Sequence, residues 1–209
     1  MITDKGIRRR IYFEGDSLSE LSENNLGFGR RMTVTAYNLL TGTKPAHFPF
    51  ALSGSQIQSG AANSILNRVS QITDMSRQND IAVIWAGTND ISVGGRSAAQ
   101  VYTDLVTWAT IMRNAGLKIV IVTMIAKERA ADPDPAAIEL IRLAYNALIL
   151  GESQFVFDAY ADAGALTQFD SQADCSNATY YNADKVHLTN VGYDLIATNV
   201  VAPAIQTLL

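Results

Sequence analysis

Two short spans at opposite ends of the chain hold residue types that, brought together, could carry out nucleophilic acyl transfer. Ser17 lies in Gly15-Asp16-Ser17-Leu18, and His187 closes Asp184-Lys185-Val186-His187. A serine hydroxyl attacks a carbonyl carbon only when an adjacent base takes its proton. Imidazole titrates close to neutral pH and is the natural base. It works well when a carboxylate holds the proton on its second nitrogen. Asp184 stands three residues before His187, so on a helical turn the two side chains emerge on one side and the carboxylate reaches the ring. Acyl transfer also needs donors aimed where the oxyanion forms. The backbone N–H groups of Ser17 and of Gly54, in Ser53-Gly54-Ser55, and the side-chain amide of Asn89, in Gly87-Thr88-Asn89-Asp90, could supply three.

Each of these residues also has a plain structural reading. Serine often caps a helix, so Ser17 taken alone could do no more than that. Asn89 and Asp90 are turn formers by type. Asp16 and Asp90 read as structural carboxylates that shape the turns beside them. His47 precedes a strand on the side of the sheet away from the other spans and reads as incidental. Cys175 has no histidine near it in any expected element, which argues against a thiol nucleophile. Glu14 is an acid in an otherwise apolar run leading to Ser17, and it either points away from the site or alters the local charge.

The elements that must position these side chains follow from apolar periodicity. Nearly continuous apolar runs predict strands over Ile11–Phe13, Phe48–Leu52, Ile81–Ala86, Lys118–Met124 and Gln154–Asp158, as in parallel strands covered on both faces. Apolar residues three and four apart predict helices over Arg31–Leu40, Gln58–Val69, Ala98–Asn114, Pro135–Leu150 and Val191 to Thr207. Asp134-Pro135 fits a helix start, Gly116 and Gly151 fit helix ends, and Thr189 or Asn190 could cap the last helix. Strand–helix alternation repeated five times predicts an open α/β fold with a mostly parallel sheet. In such sheets ligands bind at the carboxyl ends of the strands, and the Ser17, Gly54 and Asn89 spans each follow a strand there. From Ala159 to Lys185 the chain is polar, dotted with aromatics and without clear period; connections that long inside a domain are usually functional.

Composition bounds the rest. At 209 residues the chain is one domain of ordinary size, 1–209, with no linker, repeat or low-complexity tract. A hydrophobic share of 48% is enough to fold, which excludes a disordered chain. The formal charge of −4 leaves no broad basic footprint for nucleic acid, and Arg8-Arg9-Arg10 and Arg30-Arg31 are local spots only. One cysteine and two histidines exclude a disulfide framework, a cysteine-rich zinc module and a histidine-rich metal site. No apolar run reaches the length of a membrane span, and the opening residues do not read as a secretion signal, because Glu14 and Asp16 cut off the run after Arg10. The dinucleotide fingerprint, the Walker A sequence and G-x-S-x-G are all absent.

Taken in order, Gly15-Asp16-Ser17-Leu18, Ser53-Gly54, Gly87-Thr88-Asn89-Asp90 and Asp184-x-x-His187 resemble the four motif blocks of the SGNH hydrolases, also called GDSL esterases and lipases. Their span covers nearly the whole chain. The resemblance implies a three-layer α/β/α sandwich around a flavodoxin-like, mostly parallel five-stranded sheet. It implies a Ser17/His187/Asp184 triad, an oxyanion hole from Ser17, Gly54 and Asn89, and ester hydrolysis through an acyl-serine with no metal or cofactor. Family members include esterases, lysophospholipases, thioesterases and carbohydrate O-acetyl esterases, so the expected partner is a small-molecule ester, an acylated glycan or a lipid. A binding module that kept the fold without the chemistry is the reading from a different class. The second block departs from the family pattern, its approach being Phe50-Ala51-Leu52. Trp85 and Trp108 are expected in the core, and Phe169, Tyr180 and Tyr181 are candidates for a wall against the substrate.

Overall fold

Five strands form one parallel sheet in the order β2-β1-β3-β4-β5: β1 Arg10–Gly15, β2 Ala46–Pro49, β3 Ile81–Trp85, β4 Lys118–Val122 and β5 Ala159–Ala161. The computed structural model describes residues 9–20, 28–42, 44–151 and 156–209. Arg8, Gly27, the side chains of Arg30 and Arg31, and the first two residues of the expected fifth strand lie outside the described residues.

Strand parity builds the two cores. Ile11 and Phe13 on β1, Val83 and Trp85 on β3, and Val120 and Val122 on β4 face one side. There they meet α1 (Phe28–Leu39) and the C-terminal helical run of α6 (Asn190–Ile196), a π-helical turn at Ala197–Val201, and α7 (Ala202–Gln206). Tyr12, Ala82, Ile84, Ile119 and Ile121 face the other side, against α4 (Ala98–Asn114) and α5 (Pro135–Gly151). Helices therefore cover both faces, giving the three-layer α/β/α sandwich. Trp85 and Trp108 lie in opposite cores, both buried. Among the described residues no helix is long and apolar enough to cross a membrane.

Three elements differ from their sequence-based expectation. The span Gln58–Val69 is not a helix: it is irregular, ending in a 3-10 turn at Leu66–Arg68 before the short α2 (Ser70–Thr73). Gly60 sits at φ +88°, outside helical space, and buried Ile57 and Ile65 anchor the two ends without a helix between them. The second strand runs over Ala46–Pro49, earlier than Phe48–Leu52. Pro49 has no N–H to donate and stands at the sheet edge; beyond it Phe50 and Leu52 still donate to the carbonyls of Phe13 and Gly15. The fifth strand is Ala159–Ala161 rather than Gln154–Asp158. Phe157 is sequestered in the α4–α5 core, and the Asp158 carboxylate caps the start of β4 by accepting from the Ile119 N–H at 2.8 Å, with Arg113 and Lys118 beside it.

Candidate active site

The backbone turns sharply after β1. Gly15 has φ +150°, and a Cβ there would stand 2.3 Å from the Trp85 carbonyl oxygen, so only glycine fits against β3. Asp16 closes the turn: its Oδ1 accepts the Leu18 N–H at 3.0 Å and its carbonyl accepts the Ser19 N–H. Ser17 therefore stands on a tight turn, and among the described residues no helix starts directly after it. Asp16 is wholly buried, and burial pushes its pKa up to about 7 against the opposing Leu18 hydrogen bond and the field of His187.

His187 reaches the same place from 170 residues further along the chain. Its Nε2 lies 2.8 Å from Ser17 Oγ, and its Nδ1 lies 2.6 Å from Asp184 Oδ2. The Asp184–His187 segment is a hairpin-like turn, not a helical one. Tyr181 and Leu188 form an antiparallel bridge, the Asn182 N–H donates to the His187 carbonyl, and Lys185 takes φ +56°. Asp184 organises the turn by accepting the N–H groups of Val186 and His187 on Oδ1, each at 3.0 Å, which leaves Oδ2 for the ring. Burial raises the Asp184 pKa, but the His187 ring and these two N–H groups outweigh it and hold the carboxyl below its ordinary value. Thr189, not Asn190, caps the helix that follows, accepting from the Gly192 N–H.

Gly54 and Asn89 follow β2 and β3, the two strands that flank β1 in the sheet. Gly54 takes φ +73°, in the left-handed region. Asn89 lies in α3 (Thr88–Ser92), and its Nδ2 donates to the Ser55 carbonyl at 3.1 Å, joining the two spans. Asp90 is buried beneath them, accepting the N–H groups of Ile57 and Gln58 and facing Arg96 at 3.4 Å.

Glu14 resolves into a buried ion pair. Arg68 Nη2 meets its Oε1 at 2.7 Å and also reaches Ser55 Oγ at 3.0 Å and the Gly15 carbonyl at 3.3 Å. Arg68 Nη1 donates to the Asn63 carbonyl at 2.8 Å. One guanidinium thus joins the end of β1 to the Ser53–Ser55 loop. Burial pushes the Glu14 pKa up to about 7, even with Arg68 and the Gly15 N–H pulling against it. The sequence flagged Glu14 but not its partner, because nothing local connects residues 54 positions apart.

Ser17, Gly54, Asn89, Asp184 and His187 all line one cleft of about 520 Å³. Lys127, Arg129, Ala130 and Ala131, from the loop after β4, line it too. The sequence reading missed them, although the rule that ligands sit at carboxyl ends of strands points to that loop as well. Lys127 is buried, its Nζ 2.8 Å from Asp132 Oδ2, and burial lowers its pKa against the pull of Asp132. Among the described residues no group of three histidines, cysteines, aspartates or glutamates is arranged to hold a metal ion.

Phe169, Tyr180 and Tyr181 do not line the cleft. Phe169 and Tyr181 are buried in the core, edge to face with centroids 5.7 Å apart, and half-buried Tyr180 packs on Phe169 at 5.9 Å. The Tyr181 hydroxyl donates to the Ala126 carbonyl, and the Ala126 N–H donates to the Phe169 carbonyl. The aromatics of the irregular segment are therefore a floor that ties the post-β4 loop to the turn carrying His187, and the wall expectation is corrected. Their apolar area is better used in that enclosed cluster than on an open rim. His47 lies in β2 against the Tyr37 ring, and Cys175 is buried with its thiol pushed up to about 11.

A parallel sheet in the order 2-1-3-4-5, sandwiched between helices, is a flavodoxin-like arrangement, and solved structures of GDSL-type hydrolases resemble the chain over nearly its whole length. A GDSL-like lipase from Bacteroides thetaiotaomicron is 17% identical, with 96% of this chain and 89% of that one covered at a TM-score of 0.72. A member of the lipolytic protein G-D-S-L family from Veillonella parvula is 18% identical, covering 96% and 100% at 0.70. A lipase/acylhydrolase from Enterococcus faecalis is 14% identical, covering 96% of both chains at 0.68. No curated protein matches. The family model for GDSL-like lipases and acylhydrolases matches residues 13–195, and the chain belongs to that family.

Proposed function

We propose that this chain is a serine esterase that hydrolyses carboxylic esters of short to medium acyl length through an acyl-Ser17 intermediate. The observation that carries the reading is the continuous relay from Ser17 Oγ to His187 Nε2 at 2.8 Å and from His187 Nδ1 to Asp184 Oδ2 at 2.6 Å. Ser17 Oγ attacks the ester carbonyl carbon as its proton passes to His187 Nε2. Asp184, hydrogen-bonded to the other ring nitrogen, orients the imidazole and stabilises the imidazolium. The carbonyl oxygen, now negative, is met by the N–H groups of Ser17 and Gly54 and by Asn89, whose amide has a second hydrogen beyond the one given to Ser55. The C–O bond then breaks, the alcohol leaves with the proton from His187, and a water deprotonated by His187 frees Ser17 by the reverse path.

The small side chains Ala130, Ala131 and Val93, and the hydroxyls of Ser53, Thr88 and Ser92 around the same cleft, support a short or medium acyl group and a polar alcohol, as in an O-acetylated sugar. A p-nitrophenyl ester series from acetyl to palmitoyl, run beside Ser17→Ala, tests this. The expected result is activity that falls steeply with chain length and drops at least about 10³-fold in the variant. A long-chain optimum would move the substrate to a lysophospholipid or thioester. An absence of both hydrolysis and fluorophosphonate labelling would leave a binding module.

A further inference from the structure

Helix α5 turns its polar side chains inward. Arg142, almost wholly buried, donates to the Met124 and Asp170 carbonyls at 2.9 and 2.7 Å and pairs with Glu139. Asn146, also buried, accepts the Met124 N–H at 2.9 Å and donates to its carbonyl at 2.8 Å. These bonds satisfy backbone groups left over where β4 runs out, which explains the polar residues inside. Nothing inside explains the outer face. Every exposed position of α5 is apolar: Ala136, Leu140, Leu143, Ala144, Ala147, Leu148, Leu150 and Gly151. The neighbouring α4 shows the usual pattern, exposing Gln100, Thr103, Thr107, Thr110 and Asn114.

We propose that the outer face of α5 is a two-fold interface whose occupant is a second copy of this chain. Leu140, Leu143, Leu148 and Leu150 are 68, 48, 39 and 44% exposed. Together they leave about 400 Å² of leucine open, within the ~300–600 Å² of the largest, often functional, patch on a monomer. Two copies that covered this face completely, alanines included, would bury at most about 1,000 Å², where a specific interface begins. The alanines also let two such helices approach to roughly 8–10 Å. Charge selects the partner. A chain of net charge −4 repels its own copy across an acidic surface, but this face carries no charge and is complementary to itself. A bilayer is the poorer occupant, since helices that lie on membranes carry Lys and Arg on an outward polar face, and the polar face of α5 is turned into the protein. No exposed α5 residue lines the cleft, so both sites stay open in the pair.

Sedimentation velocity from about 1 to 200 µM tests the proposal. The 22.6 kDa chain is expected to pass to a species of twice that mass as concentration rises. Leu140→Glu with Leu143→Glu should remain monomeric throughout, and Thr103→Glu with Thr107→Glu on α4 should dimerise as the parent does. Circular dichroism melts show that each variant is folded. Ala144→Cys, near the helix midpoint where a two-fold crossing brings like residues together, should form an intermolecular disulfide at low oxidant, and buried Cys175 does not compete. A parent that stays at 22.6 kDa up to 200 µM without this cross-link overturns the proposal. So does a dimer that survives the paired glutamates, or binding to phosphatidylcholine vesicles that the paired glutamates abolish while the parent stays monomeric in solution.

Discussion

Arg68→Met removes a charge while keeping most of the side-chain volume, and the structure sets the size of the effect. The change leaves the Glu14 carboxylate buried without its cation and takes donors from Ser55 Oγ and the Gly15 and Asn63 carbonyls. Breaking a buried pair by removing one partner costs about 3–5 kcal/mol. For a chain of this length, at about 2–4 °C per kcal/mol, the melting temperature should fall by about 6–20 °C. The loss should also depend on pH. Without Arg68 the Glu14 pKa rises further, so its folded state prefers the protonated acid; that stability is present at low pH and is lost as pH rises. The deficit of Arg68→Met against the parent should therefore be larger at pH 8 than at pH 5. Glu14→Gln added to Arg68→Met should recover part of the loss, because the uncompensated charge is gone. Calorimetric melts of the parent, both single variants and the double variant at the two pH values provide the measurement. A loss under about 1 kcal/mol at pH 8, the scale of an exposed pair, or a deficit that does not change with pH, would refute the assignment of a buried pair ionised at that pH.

Asn89→Ala should lower kcat by about 10²–10³-fold with little change in KM, as for loss of one oxyanion donor; steady-state kinetics on p-nitrophenyl acetate decide it, and a change within threefold would remove Asn89 from that role. Phe169→Ala should cost about 3–5 kcal/mol in a denaturant melt and leave KM unchanged, whereas a raised KM in an equally stable variant would put Phe169 back against the substrate. For Asp16 the sign follows from its raised pKa. The folded state holds a proton that the unfolded chain releases near pH 4, so this group's contribution is full below about pH 4 and is lost as pH rises through about 7. Asp16→Asn should therefore gain melting temperature on the parent between pH 4 and 7.5, and parallel curves would show that burial does not hold the proton there.

Local pattern carried much of this protein. Continuous apolar runs marked β1, β3 and β4, because strands covered on both faces need apolar residues at every position. The helices α1, α4 and α5 and the C-terminal helical run could be read from spacing alone. Ser17, Gly54, Asn89 and the Asp184–His187 span could each be picked out because a residue's type and its place after a strand are local facts. Gln58–Val69 misled for the same reason: Ile57 and Ile65 are buried as a helix would bury them, but a left-handed Gly60 and two anchors hold the segment without helical bonds.

What joins distant segments was decided by tertiary structure. The sequence could name Ser17 and His187, but the 2.8 Å between them depends on how the sheet is ordered and on the Tyr181–Leu188 turn. It could flag Glu14 as out of place, but only the folded chain supplies Arg68. It could note that Phe169 and Tyr181 stand in an irregular stretch, yet an aromatic ring serves a wall or a floor equally well until its neighbours are known. The apolar period of α5 predicts a helix but not which face turns inward. The Met124 N–H and carbonyl beyond β4 take Arg142 and Asn146 into the core as partners, which turns a row of leucines to the outer face. Periodicity is a property of neighbours along the chain, whereas pairing, burial and orientation belong to residues that only the fold makes neighbours.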